Sequence, residues 1–411
     1  MIPTVDMVRL FARHGVKATV VTTPINASTF SATIERERQL GFDISISVIK
    51  FPCAEAELPE TCENMNSITS PEMEMNFFKA VGLLQKPFEQ ILEECRPHCL
   101  VADIMFPWAT EAATNFGIPR LCFHGTGLFA LSVFNCLRQL KPYKTITSDF
   151  EPFILPGLPD QMTSYGVLVN SFHELEPGYS EHYREVIGLK TWLIGPVSLC
   201  NRDTNDKVHR GHIASISEHE CLGWLDTKQP NSVLYICFGS MMHFSAAKQL
   251  FEIAIGLESS GQNFIWVVKK EDEDKEEWLP EGFERRTEGR GFMTHCGWNS
   301  TLESVTAGVP MVTWPLSADQ FYNEKLVTDV LRIGIGVGAQ EWSRWLEEKN
   351  IIVNRDDVKE AVTKLMVGEE GDEMRIRAGK LKEMSRKATE EGGSSYSDLH
   401  ALVEELRLKC T

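Results

Sequence analysis

The sequence has no long apolar run, no CxxC pair and no excess of basic charge, and each absence removes a class of function. No stretch approaches the roughly 18 consecutive apolar residues that a membrane-spanning helix needs. The opening MIPTVDMVRL lacks a basic segment followed by an apolar one, so no secretory leader is expected. The eleven cysteines, scattered from Cys53 to Cys410 without regular spacing, suit reduced and mostly buried thiols in the cytoplasm rather than a disulfide framework. The formal net charge is -17, which on average repels a nucleic-acid backbone or an anionic membrane. Any anion the chain binds must therefore be held by local devices. No GxGxxG follows a strand candidate, which counts against a nicotinamide or methyl-donor Rossmann enzyme.

What is present is an ordinary globular composition, 43% hydrophobic and 24% charged, in a chain of 411 residues. That length exceeds one hydrophobic core and predicts two domains of about 200 residues each. Short β-branched runs alternate with stretches of helical period, the pattern of parallel βαβ units. Strands are expected at 16–23, 44–51, 99–103, 119–124 and in YGVLVNSF in the first half, and at 232–240, NFIWVV and MVTWP in the second. Phe77, Val81, Leu84, Phe88 and Leu92 fall on one face of a helix predicted over 72–94. Ser245 is placed to cap a helix carrying Leu250, Ile253, Ala254 and Leu257, and a final helix near 398–409 carries Leu399, Leu402, Val403 and Leu406 on one face. The stretch 192–211 loses periodicity and reads as a linker.

Two places break the rhythm. The chain opens on a helical pattern, Val5, Val8 and Phe11 ended by Gly15, with no strand before it. Residues 269–291 join two strand candidates without an apolar helical face, although a parallel crossover needs a helix to cover the sheet. The acidic run 271–277 within it reads as a solvated loop.

The stretch with the densest chemistry is THCGWNSTLESVTAGVP, residues 294–310. A metal site would need several His or Cys ligands converging, but His295 and Cys296 are neighbours on extended chain and point to opposite faces. The same geometry keeps His295 from acting as base to a Cys296 nucleophile. A third reading is an anion cradle: FMTH as a short strand, Cys296 and Gly297 as the turn, and Asn299 or Ser300 at the N-cap of a helix running to about Ala307. Backbone amides, a hydroxyl and an amide would then meet at the positive end of a helix dipole. Glu303, one turn in, could hold a ribose diol. An ordinary strand-to-helix turn capped by Asn299 stays open beside it.

This stretch, continued through MVTWPLSADQ to Gln320, resembles the C-terminal two-thirds of the signature box of plant UDP-dependent family 1 glycosyltransferases. MIPTVDM, GVKATVVTTP, LVADIMFPWAT, GIPRLCFHG, YGVLVNSFHELEP, WLDTKQPNSVLYICFGS, LPEGFE and EGGSSYSDL are similar to the same family, especially its branch acting on phenolics, flavonoids and triterpenoids. The resemblance implies a GT-B fold of two Rossmann-like α/β domains facing across a cleft. Residues 1–196 would form the acceptor domain without its first strand, 197–215 the linker, 216–385 the UDP-sugar domain, and 386–411 a helix returning to the first domain. It further implies glucose transfer from UDP-glucose to a phenolic, flavonoid or terpenoid hydroxyl by metal-free inverting displacement. No cofactor beyond that donor substrate is implied, and relatives are usually monomeric.

Carried over by motif, His295, Asn299 and Ser300 would bind the diphosphate and Ser240 would add a phosphate contact. Trp298 would contribute backbone and ring contacts near the sugar, Glu303 would hold the ribose, and Asp319 and Gln320 would bind the sugar hydroxyls. In the family a His takes the acceptor proton and an Asp orients and charges it, and Asp103 matches that Asp; from the residues alone, a simple cap at a strand's end is the alternative reading of Asp103. The family's catalytic His belongs to a segment ahead of MIPT. His14, beside Gly15 at the far end of the opening helix, and His124, after a different strand, do not match it. The box also lacks its opening third, since EGRG runs straight into FMTH, and a further gap falls near Gln161–Ser164. The competing expectation is an inactive truncated isoform or pseudoenzyme that keeps the fold for a binding or interaction role.

Overall fold

The computed structural model describes residues 2–140, 165–185, 188–201, 218–239, 247–267, 279–280, 283, 296–340 and 353–409. The chain divides into two compact units, Met1–Ile213 with Met384–Thr411, and Ala214–Glu383. In both, the described strands pair only in parallel.

In unit 1, β1 (Ala18–Thr22) lies beside β2 (Ile44–Val48), with Ala18 opposite Ile44. A second ladder runs in the order β3 (Leu100–Asp103), β4 (Arg120–His124), β5 (Gly166–Val169) and β6 (Thr191–Leu193). Parallel neighbours cannot be joined by a tight turn, so helices make the crossovers. After α1 (Ile2–Arg13) these are α2 (Pro24–Gln39), α3 (Pro71–Leu83), α4 (Gln85–Cys95), α5 (Ala109–Asn115), α6 (Leu128–Leu140) and α7 (Pro177–Glu185). Among the described residues β1 and β3 each have a single strand neighbour, so the two ladders stay separate.

The helix expected over 72–94 is two helices that break at Leu84. Pro87 explains the break, because it has no N–H to give the carbonyl four residues back and its ring crowds that turn. The expected apolar face survives the break, with Phe77, Val81, Leu84, Phe88 and Leu92 all buried.

The linker expected from 197 starts too early. Val197–Cys200 is a buried 3-10 turn of unit 1. Its polar groups are met by α1: Arg9 donates to Asn201 Oδ1 at 2.5 Å, Asn201 donates to Asp6 at 3.0 Å, and Arg13 donates to the Cys200 carbonyl at 2.7 Å. Polar, proline-containing sequence reads as a connector, but here Asn201 and the Cys200 carbonyl are paired with α1, and Val197 and Cys200 are buried. The rest of the expected linker, from 202 to 215, lies outside the described residues.

Unit 2 pairs β7 (Val233–Cys237) with β8 (Asn263–Val267), and β9 (Met311–Thr313) with β10 (Gly334–Gly336). Its helices are α8 (Glu218–Leu225), α9 (Ala247–Ser260), α10 (Trp298–Ala307), α11 (Gln320–Lys325) and α12 (Arg355–Val367), followed by α13 (Glu369–Thr389). The stripe expected on α9 is fully buried at Ile253, Ala254 and Leu257, in a core with Ile236, Val312 and Val358. Gly261, at φ +67°, ends that helix in the left-handed conformation glycine adopts freely. Ser245 and the acidic run 271–277 lie outside the described residues. On the face of β7 and β8 turned away from this core, Tyr235 and Val267 remain exposed, where a parallel sheet is ordinarily covered.

The last helix, α14 (Ser394–Lys409), belongs to unit 1. Leu399, Leu402 and Val403 join Met7, Phe11 and Leu121 in one core cluster, so the apolar stripe read from the sequence has its partner. Asp398 pins it by accepting the Leu193 amide at 2.8 Å and Arg184 at 2.5 Å. Every described cysteine is a free thiol, six of them buried. No described helix is long and apolar enough to cross a membrane.

Candidate functional site

The expected residues fall at two places, one in each unit. In unit 1, Asp103 ends β3, half-buried, beside the end of β4, where its backbone is in register with Phe123. Its carboxylate accepts the Met105 amide at 3.0 Å. Burial pushes its pKa up from the ordinary value, against the amides of Met105 and Ile104 and the charge of Arg120, which pull it down. Asp103 thus behaves locally as the turn cap the bare sequence allowed. No described imidazole bonds to it.

The two histidines of unit 1 considered as bases are both engaged elsewhere. His14 Nδ1 donates to the Leu10 carbonyl at 2.8 Å, and its ring packs beside Tyr396 on α14. His124 is 2% exposed at the end of β4, with Nε2 3.6 Å from Cys122 Sγ. Burial, helped by the Arg120 charge, lowers its pKa to about 4, so it is neutral at ordinary pH.

In unit 2, the chain turns sharply at Cys296, which sits at φ +57° although it has a side chain. A non-glycine residue in that region costs on the order of 1–3 kcal/mol and persists where surrounding contacts demand it. The turn moves the helix start. Gly297 is the N-cap residue of α10, with no side-chain cap, and Asn299 and Ser300 lie in the first turn rather than at the cap expected for them. Thr301 N–H donates to the Gly297 carbonyl at 3.0 Å and closes the first turn, and the amides ahead of it, which have no carbonyl within the helix to bond, form the positive end of the helix dipole.

Around that end, Asn299 is exposed and Ser300 half-buried, while Trp298 is 2% exposed. A ligand reaching the turn therefore meets the Trp298 backbone, not an open ring. Glu303, one turn on, is exposed, and its charge acts on Tyr235 at β7. His295 and Ser240 lie outside the described residues.

The loop after β9 comes to the same place. Ala318 is also left-handed, at φ +53°, and delivers Asp319 and Gln320 at the start of α11. Gln320 is buried, and its Oε1 accepts the amides of Leu316 at 2.8 Å and Ser317 at 3.1 Å. This fixes the amide's orientation and leaves Nε2 as the donor arm. Asn323, which sequence reasoning missed, donates from Nδ2 to the Cys296 carbonyl at 2.9 Å and to Asp319 Oδ2 at 3.0 Å. The two halves of the site are thereby joined. Beneath them Glu324 accepts the Thr313 hydroxyl at 2.5 Å, its pKa raised by burial, and burial likewise pushes the Cys296 thiol well up. A neutral thiol is neither nucleophile nor metal ligand. Among the described residues no three His, Cys, Asp or Glu side chains gather as metal ligands would. The arrangement supplies outward amides, a hydroxyl, a carboxylate and a fixed amide donor, which suits an anionic, hydroxyl-rich ligand.

Comparison with known proteins fits this chemistry. The family model "UDP-glucoronosyl and UDP-glucosyl transferase" matches residues 211–365. A scopoletin glucosyltransferase of Nicotiana tabacum is 50% identical over 457 aligned positions, covering 99% of this chain and 95% of that protein. A UDP-glucose flavonoid 3-O-glucosyltransferase of Fragaria ananassa is 49% identical, covering 98% and 93%. The crystal structure of Glycyrrhiza uralensis UGT73P12 complexed with glycyrrhetinic acid 3-O-monoglucuronide superposes with a TM-score of 0.90 at 37% identity, covering 99% and 93%. The tobacco alignment has more positions than this chain has residues, so that relative carries residues within the matched region that are absent here. With half of the aligned positions identical to such a relative across nearly its whole length, the chain belongs to the UDP-glucoronosyl and UDP-glucosyl transferase family and is a glycosyltransferase of GT-B type, built from two Rossmann-like α/β units.

Proposed function

We propose that this chain transfers glucose from UDP-glucose to a hydroxyl of a small phenolic, flavonoid or terpenoid acceptor, with inversion at the anomeric carbon. The observation that carries the reading is the junction over 296–323: a helix's positive end at a left-handed turn, tied through Asn323 to the loop bearing Asp319 and Gln320. Outward amides and the Ser300 hydroxyl suit a diphosphate. Asp319 and the Nε2 of Gln320 suit sugar hydroxyls, one as acceptor and one as donor. Asn299, His295 and Ser240 extend the phosphate contacts, Trp298 adds its backbone amide, and Glu303 takes the ribose diol.

The acceptor classes follow from what the relatives are named for or hold, namely scopoletin, a flavonoid and glycyrrhetinic acid 3-O-monoglucuronide. As the acceptor oxygen bonds to the anomeric carbon, the bond to UDP breaks and the acceptor proton passes to a general base. Asp103, matched by motif to the group that orients and charges that base, meets the Met105 and Ile104 amides and no imidazole among the described residues. The donor is a substrate, and neither metal nor further cofactor takes part. The protein acts in the cytoplasm as a monomer.

Isothermal titration with UDP-glucose, followed by radiolabelled transfer to a panel containing scopoletin and flavonoids, tests the reading. Heat and a labelled glucoside are expected, and no heat at millimolar UDP-glucose overturns it. A second reading, a protein that retains the donor without turnover, rests on the Asp103 carboxylate being met by backbone amides and by no described imidazole. Heat without any labelled product favours that one.

A further inference from the structure

We propose that Asn323 is a positioning residue of the donor site, bracing the Asp319 carboxylate against the turn that starts α10; the inference rests on the donor-site reading above. Asn323 is 1% exposed, so it acts through other groups rather than on a ligand. Its Nδ2 spends one N–H on the Cys296 carbonyl and the other on Asp319 Oδ2. Both partners only accept, so the amide can face just one way. Its Oδ1 has no donor among the described residues, and nothing on that side competes for the orientation.

What the brace holds is unusual backbone. Cys296 and Ala318 are both left-handed residues with side chains, one ahead of each half of the site. Such conformations persist only where contacts over-determine them. Gln320 secures the second loop through the Leu316 and Ser317 amides. For the first turn, the Asn323 bond fixes the carbonyl of the strained residue itself. Asp319 lies one helical turn before Asn323, the spacing at which side chains meet. The same amide therefore sets the carboxylate that takes the sugar and the carbonyl behind the amides that take the diphosphate. Aspartate in its place would bring oxygen against two acceptors, and alanine would leave a buried carbonyl without its donor.

The test titrates UDP and UDP-glucose into the full chain and into Asn323→Ala, Asn323→Asp, Asp319→Ala and the Asn323→Ala/Asp319→Ala double variant, each checked by thermal melting. The sugar-dependent gain in affinity, UDP-glucose over UDP, should fall about tenfold in both Asn323 variants. Adding Asn323→Ala to Asp319→Ala should cost that ratio nothing more, because the brace then has no carboxylate to hold. A merely structural residue would lower the melting temperature and the active fraction without changing the ratio, and that result overturns the proposal. Losses that multiply in the double variant also overturn it. Parent protein that binds neither nucleotide overturns the donor-site reading, and this role with it. Parent binding with an unchanged ratio in the Asn323 variants removes this role alone.

Discussion

Arg9 Nη2 and Glu37 Oε1 lie 2.7 Å apart, with both side chains 1% exposed, so α1 and α2 are joined by an ion pair out of contact with water. Burial alone would raise the Glu37 pKa, but hydrogen bonds from Arg13 and Arg9 outweigh it and hold the carboxyl below its ordinary value. Glu37→Gln takes the nearest carboxylate from both guanidinium groups, leaving Arg9 the Asp6 carboxylate at 3.7 Å, and should destabilise unit 1 by about 3 kcal/mol. Because the folded-state pKa is depressed, the contribution is complete above the unfolded carboxylate range, near about 4.3, and is lost as pH falls through the lower folded value. The gap in melting temperature between parent and variant should be full at neutral pH and should close in acid. An unchanged gap across that range would remove the ion pair as its cause.

His124 gives a loss of the same sign over a higher pH window. Its folded pKa, lowered by burial to about 4, lies below the ordinary 6.5. Unfolded chain therefore binds a proton that folded chain refuses, and stability present above about pH 6.5 declines as pH falls toward 4. Denaturant titrations of the parent and of His124→Gln across this range should show a steeper decline in the parent. Parallel curves would mean that His124 is not the buried neutral group described.

The βαβ rhythm is legible in the sequence because strands of parallel sheets read as short β-branched runs: ATVVT, ISISV and VLYIC form β1, β2 and β7. The apolar stripe on α14 is legible too, but its partners Met7, Phe11 and Leu121 are not, since nothing local specifies contacts across the length of a chain. The start of α10 is misread by residue preference. Asn and Ser favour N-caps, yet the left-handed turn at Cys296 hands that position to Gly297. Asn323 escapes notice for the same reason as the α14 partners, because its role depends on a carbonyl 27 residues away.

Gln320 has two separable tasks. Its Oε1 holds the Leu316 and Ser317 amides, and its Nε2 is left to donate. Gln320→Glu keeps an oxygen for the loop and removes the donor, so it should melt near the parent while losing about tenfold in affinity for UDP-glucose and little for UDP. Gln320→Ala removes both, takes the Oε1 acceptor from the Leu316 and Ser317 amides, and should cost about 1–3 kcal/mol of stability besides. If the glutamate variant binds UDP-glucose as the parent does, Nε2 is not a sugar contact.

Ser300 and Asn299 test the helix end itself. The dipole and outward amides belong to the backbone and survive side-chain removal, so each single alanine variant should weaken UDP by about ten- to a hundredfold, the worth of one hydrogen bond to a charged group, without abolishing binding. Removing both should lose more than either alone, because a diphosphate then relies on amides and a dipole worth about 0.3–2 kcal/mol. That dipole term is screened by salt. Both proteins keep that term, so binding of UDP by the double variant should be weaker throughout but should fall between low and physiological ionic strength about as steeply as binding by the parent. A double variant that holds UDP as tightly as the parent at every salt concentration places the diphosphate somewhere other than the start of α10.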